Sequence, residues 1–129
     1  MAKAVGAGPV DDPTSRPLSE IKAELFKALG HAGRVRILEV LCEGERTVTE
    51  LVPLAGLEAS HLSQQLGVLR RAGVVVARRE GSTVTYSIAN AEVAELLAVA
   101  KRFLINTLTA GQELLAGLRG TQVMVRRGR

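Results

Sequence analysis

Residues 47–88 read TVTELVPLAGLEASHLSQQLGVLRRAGVVVARREGSTVTYSI, and this run decides the fold. Thr47-Val48-Thr49-Glu50 is a capping box: the Thr47 hydroxyl can accept from the Glu50 amide while the Glu50 carboxylate reaches back. It predicts a short helix with Val48, Leu51, Val52 and Ala55 apolar, closed by Gly56 in a left-handed turn. A second helix is expected from about Glu58 to Ala72, with Leu62, Leu66 and Leu69 on one face. After Gly73 the apolar period changes from helical to alternating. Val74–Arg79 reads as one strand, and Val84, Tyr86 and Ile88 alternate with Thr83, Thr85 and Ser87 as another. Glu80-Gly81-Ser82 is the turn between them. Two short helices across a Gly-containing turn are the helix-turn-helix arrangement, and a hairpin directly behind them makes the winged form.

Outward from this centre the pattern is helical. Upstream, Leu18, Ile21, Leu25, Phe26 and Leu29 recur at helical spacing behind Ser19, which is expected to cap that helix, and Gly30 stops it. A further helix begins near His31, carries Val35, Ile37, Leu38, Leu41 and Cys42, and ends at Gly44. Downstream, Asn90 can cap a long helix running from Val93 through Leu118, with Gly111 expected to kink it or end its regular part. Pro53 is expected to bend or fray the short third helix, because it lacks an amide and opposes the carbonyl four residues back. The predicted class is mainly α with a small β-hairpin, in the order α-α-α-α-β-β-α. This domain spans 18–118. An arm (1–17) rich in Gly and Pro precedes it, expected to be disordered, and a basic tail (119–129) follows.

Composition narrows the function. The chain has 129 residues, 47% hydrophobic and 23% charged, enough for one domain with a packed core. There is no apolar run of membrane-spanning length, no secretory leader is expected, and the single Cys fits a reducing cytoplasm. With 2% aromatics, base stacking on an aromatic sheet is not expected. The net charge of +4 does not by itself mark a basic DNA binder. Arg119, Arg126, Arg127 and Arg129 stand in the tail without an acid among them, so the body is nearly neutral.

The chemistry lies on the predicted fourth helix. A helical wheel turns Leu62, Leu66 and Leu69 inward and Ser60, His61, Gln64 and Arg71 outward, with Ser63 and Gln65 at the edges. Small hydroxyls and carboxamides near a helix N-terminus suit base edges in a major groove. Arg78, Arg79, Ser82 and Thr83 at the hairpin are placed for backbone phosphates, which set register and affinity more than sequence preference. As a plain alternative, each of these is an ordinary solvated side chain.

Residues 23–31 (AELFKALGH), 34–38 (RVRIL), 62–75 (LSQQLGVLRRAGVV) and 78–81 (RREG) together resemble the ArsR/SmtB family of bacterial winged-helix repressors. The resemblance covers about residues 18–104. It implies a homodimer joined through the first helix (Leu18, Ile21, Leu25) and the last, one recognition helix per operator half-site, and release of double-stranded DNA by an inducer. Family metal sensors often carry a thiol pair in the third helix or Asp and His ligands along the last one. Here the third helix offers Val48-Thr49-Glu50-Leu51-Val52, and Glu92–Leu118 contains no His, Cys or Asp, so no metal ligand or cofactor is transferred. The family's Pro-Thr after the position of His31 is Ala32-Gly33 here, which should start the second helix less firmly.

The long last helix is an expected interface on physical grounds. Val93 to Leu118 spans about 39 Å, more apolar stripe than a four-helix core can cover. Leu96, Ala100, Phe103, Leu104, Thr107 and Leu108 are the expected contacts, each large side chain contributing roughly 1.5–3 kcal/mol when buried. His31 is expected at a helix start, and Cys42 near an inward face as a small hydrophobe. No catalytic triad, phosphate loop or paired-carboxylate cleft emerges, so an enzyme is not expected. Two other readings stay open: a winged-helix protein-interaction module, and a regulator holding metal through His31, Asp11 and Asp12.

Overall fold

A computed structural model of the chain describes residues 15–120, with side chains to residue 118. The arm's first fourteen residues, including Asp11 and Asp12, and the tail beyond residue 120 lie outside the described part. The elements are α1 (Leu18–Leu29), α2 (Ala32–Cys42), β1 (Arg46–Thr47), α3 (Val48–Ala55), α4 (Ala59–Arg71), β2 (Val75–Glu80), β3 (Thr83–Ile88) and α5 (Ala91–Gly120). This is the expected helical class with one added strand. β1 pairs antiparallel with β3, Arg46 opposite Tyr86 and Thr47 opposite Thr85, so the sheet has three strands in the order β1-β3-β2.

The local chemistry explains the boundaries. Thr47 and Glu50 form the capping box in full: the Glu50 amide donates to Thr47 Oγ1 at 3.2 Å and the Thr47 amide to Glu50 Oε1 at 2.9 Å. Gly56 takes φ +67°, and the Val52 carbonyl accepts from the amides of both Gly56 and Leu57. Pro53 does not interrupt α3. The carbonyl it leaves without a donor belongs to Thr49, which is exposed to water, and the helix ends two residues later. The wing closes in two residues. Glu80 pairs with Thr83, and Gly81 at φ +63° supplies the backbone that the first position of such a turn requires.

Three expectations are corrected. Ser19 does not cap α1, which starts at Leu18 with Pro17 at the cap position and no side-chain cap bond. Cys42 is exposed, on the outer side of α2's last turn, and the inward positions there are Ile37, Leu38 and Leu41. Gly111 neither ends nor breaks α5, which stays helical to Gly120.

The core of residues 15–90 is built from one stripe of each element. Ile37, Leu38 and Leu41 of α2 meet Leu51 and Ala55 of α3, Leu62, Leu66 and Leu69 of α4, and Val75 and Tyr86 of the sheet, all buried. α1 lies against α2 and α4 through buried Ala28 and half-buried Leu25 and Leu29. Leu18, Ile21 and Phe26 of α1 stay exposed. α5 is a separate unit, a helix about 45 Å long. Beyond its first two turns its large apolar side chains face solvent, among them Phe103, Leu104, Ile105, Leu108, Leu114 and Leu118.

Candidate nucleic-acid interface

α4 enters the fold with its leucines fully buried, and that fixes which of its side chains are outside. Leu62, Leu66 and Leu69 are at most 1% exposed, whereas Ser60, His61, Ser63, Gln64, Arg70 and Arg71 are exposed. Ser60, Gln64, Gly67 and Arg71 follow one another at spacings of four, three and four residues. They therefore form one stripe along the helix, flanked by His61 and Ser63. The stripe is shallow at its middle. Gly67 has no side chain, and the Arg71 guanidinium folds back beside it, so that a methyl group added at Gly67 would meet Arg71 Nη1 at 3.3 Å. The wheel missed Gly67; its signal was a helix-interior glycine, which costs roughly 0.5–1 kcal/mol against alanine and calls for a reason.

Gln65 is the correction. Expected at an edge and among the DNA-contacting residues, it is 7% exposed, and its Oε1 accepts from Arg34 Nη1 at 2.7 Å. It therefore belongs to the interior and leaves the candidate contact set. A wheel could not see this, because the partner lies on α2, thirty-one residues away.

The hairpin divides its two arginines. Arg78 on β2 donates through Nη1 to Glu45 Oε1 at 3.0 Å and stands 3.3 Å from Glu80 Oε2 through Nε. The contact crosses the sheet, since Arg78 pairs with Thr85, Thr85 pairs with Thr47, and Glu45 immediately precedes β1. The Arg78 guanidinium beside Glu45 holds that carboxyl below the usual carboxylate range. Arg79 points to the opposite face and makes no ion pair with any described residue. Ser82 and Thr83, at the tip, are exposed. Of the two arginines, Arg79 is thus the cation at liberty to meet a phosphate, and Arg78 must first part from two carboxylates. Two-residue β1, too short for a periodic signal, is what brings Glu45 into the wing.

The profile of the bacterial regulatory protein arsR family matches residues 31–76. An uncharacterized HTH-type transcriptional regulator of Mycobacterium tuberculosis, Rv0081, is 56% identical over 106 residues, covering 81% of this chain and 93% of that one. The chain belongs to the arsR family of bacterial regulatory proteins. The crystal structure of Rv0081 superposes with a TM-score of 0.69 at 58% identity, over 74% of this chain and 97% of that one. The solution structure of a homodimeric winged helix-turn-helix DNA-binding domain from Mycobacterium bovis gives 0.69 at 34% identity, over 80% and 94%. A biofilm growth-associated repressor of Agrobacterium fabrum is 35% identical over 97 residues, 75% of this chain and 83% of that one.

Within this arsR-family chain a thiol-based metal site does not fit α3. Its only ionisable group, Glu50, is spent on the Thr47 amide. Among the described residues, no group of three His, Cys, Asp or Glu is placed to hold a metal ion. His31 serves α2: its Nδ1 accepts from the Gly33 amide at 3.0 Å, so the Ala32-Gly33 start is capped. A side chain at Gly33 would press on that imidazole at 3.1 Å. Cys42 carries a thiol pushed above the ordinary range by desolvation and by the neighbouring Glu39 and Glu43 carboxylates, the opposite of what a reactive cysteine needs.

Proposed function

We propose that this chain is a cytoplasmic, homodimeric, sequence-specific DNA-binding repressor. The observation that carries the reading is the division of α4: every leucine is inward, and short hydroxyl and carboxamide side chains occupy the outer face of its N-terminal half. Ser60, His61, Ser63 and Gln64 would read base edges, with Gln64 suited to bidentate pairing with adenine. Arg71, Arg79, Ser82 and Thr83 would contact phosphates, and Arg78 would do so after exchanging carboxylate for phosphate. Regulator names among the relatives, one of them a repressor, support the functional class.

The dimer reading is supported by two surfaces, each taken alone. α1 presents Leu18 and Ile21 beside half-buried Leu25. α5 presents Phe103, Leu104 and Leu108, with Thr107 between them and Ala100 and half-buried Leu96 before them. Apolar area of this extent on a surface marks association, and a twofold pair would offer two recognition helices to half-sites about one DNA turn apart. The M. bovis domain is described as homodimeric. The test is enrichment of a randomised duplex pool by the full chain, followed by fluorescence polarisation on the enriched duplex and on a scrambled one. The reading predicts a palindromic enriched site and a preference of at least about a thousandfold. A chain that enriches no sequence would instead be a protein-interaction module.

A further inference from the structure

We propose that Arg34 is a positioning residue for sequence reading, tying the end of α1 to the inner side of α4 and so fixing the roll at which α4 offers its outer face. The inference rests on the DNA-binding reading above and adds a residue outside the contact surface.

Arg34 spends its guanidinium on two elements at once. Its Nε donates to the Ala28 carbonyl at 2.5 Å and its Nη2 to the Lys27 carbonyl at 3.2 Å, both in the last turn of α1. Its Nη1 donates to Gln65 Oε1 at 2.7 Å. The two carbonyls lie at the negative end of a helix, where intrahelical donors run out, so a cation there is doubly favoured. Three acceptors around one planar fork define the plane of the guanidinium, and that plane then defines where Gln65 must lie. A lysine would carry the same charge without the fork.

The position of Gln65 matters because Gln64 is beside it. The two side chains are chemically identical, and rolling α4 by one residue's turn would exchange them. The buried leucines set the roll coarsely through contacts that have no direction. The Arg34 bond is directional and acts on the residue next to the proposed base contact. Two residues further along α2, Arg36 Nε donates to the Ala55 carbonyl at 3.0 Å, at the end of α3 where the Gly56 turn begins. α2 thus holds the helix-turn-helix at both of its helices, and the part-buried Arg34 bond is the one at its α4 end.

The test compares full-length variants on the duplex enriched by the wild-type chain and on a scrambled duplex, well below each variant's melting temperature. Arg34→Lys and Gln65→Met should each lower the enriched-to-scrambled affinity ratio by about tenfold, the worth of one hydrogen bond to a charged group. Binding to the scrambled duplex and its salt slope should stay unchanged. The double variant should lose no more than either single one, and Gln65→Glu, which keeps an acceptor in place, should hold the ratio within about threefold. A merely structural contact would lower the melting temperature and leave the ratio at its wild-type value, overturning the proposal, as would additive losses in the double variant. If Arg34→Lys fails to fold, Gln65→Met alone decides between these outcomes. A wild-type chain that enriches no duplex overturns the DNA-binding reading, an outcome distinct from a preference that survives both substitutions.

Discussion

Gln64 and Gln65 are neighbours of the same chemistry in opposite environments, and truncating each to alanine should give opposite results. Gln64 is exposed, so Gln64→Ala removes nothing from the core and should change folding stability by less than about 0.5 kcal/mol. On the preferred duplex it should cost about 1–3 kcal/mol, roughly a five- to 150-fold loss, and the loss should disappear when one base pair per half-site is changed. Gln65 is 7% exposed and accepts the Arg34 bond at 2.7 Å. Gln65→Ala deletes a hydrogen bond to a charged group and leaves a void, so stability should fall by about 1.5–3 kcal/mol or more. In a domain of this size that lowers the melting temperature by several degrees or more. Calorimetry or thermal circular dichroism reads the first quantity, and polarisation against a panel of single-base-pair variants reads the second. If Gln64→Ala destabilises the fold, or costs the same on every sequence, α4 is not placed as argued.

Gly67→Ala should raise stability by about 0.5–1 kcal/mol, because the only close neighbour of the new methyl is the flexible end of Arg71. The same methyl on the outer stripe should weaken binding to the preferred duplex, and a variant that gains on both counts refutes the shallow groove-facing stripe. Arg79→Ala should reduce the salt slope of scrambled-duplex binding by about 0.9 per protomer, the value of one phosphate contact. Glu45→Gln should increase it by a smaller amount, since it removes one of the two carboxylates that hold Arg78 and leaves Glu80. The Glu45 carboxyl is held low by Arg78, so its pairing is present above the ordinary carboxylate range and is lost as pH falls through the lowered value. The difference between Glu45→Gln and wild type should therefore vanish in acid; a difference that persists there assigns the effect elsewhere. Cys42→Ser should leave stability within about 0.5 kcal/mol. The wild-type thiol should alkylate more slowly at neutral pH than an unhindered cysteine and quicken only at pH above the ordinary thiol range; fast neutral labelling would contradict the raised thiol.

The parts of this fold that were legible in sequence are those governed by short-range rules. The Thr47–Glu50 capping box, the Gly56 and Gly81 turns, the leucine stripe of α4 and the alternation of the wing each depend on spacing within a few residues. What escaped depends on partners remote in the chain. Gln65 looks like an outer residue until Arg34 is brought to it, and Arg78 looks like a free cation until β1 carries Glu45 across the sheet. Cys42 falls near the apolar stripe of α2 on a wheel, but it sits in the last turn, where the core contacts have ended at Leu41. Gly111 keeps its place in α5 because an isolated glycine costs a helix only about 1 kcal/mol.

The measurement closest to the central claim is a hydroxyl-radical and guanine-protection footprint of the full chain on its enriched duplex, with stoichiometry from sedimentation. Two protomers per duplex, with two protected major-groove segments centred about 10 base pairs apart, is the expected result. A single protomer on the duplex, or protection confined to the backbone with every guanine still reactive, would contradict it.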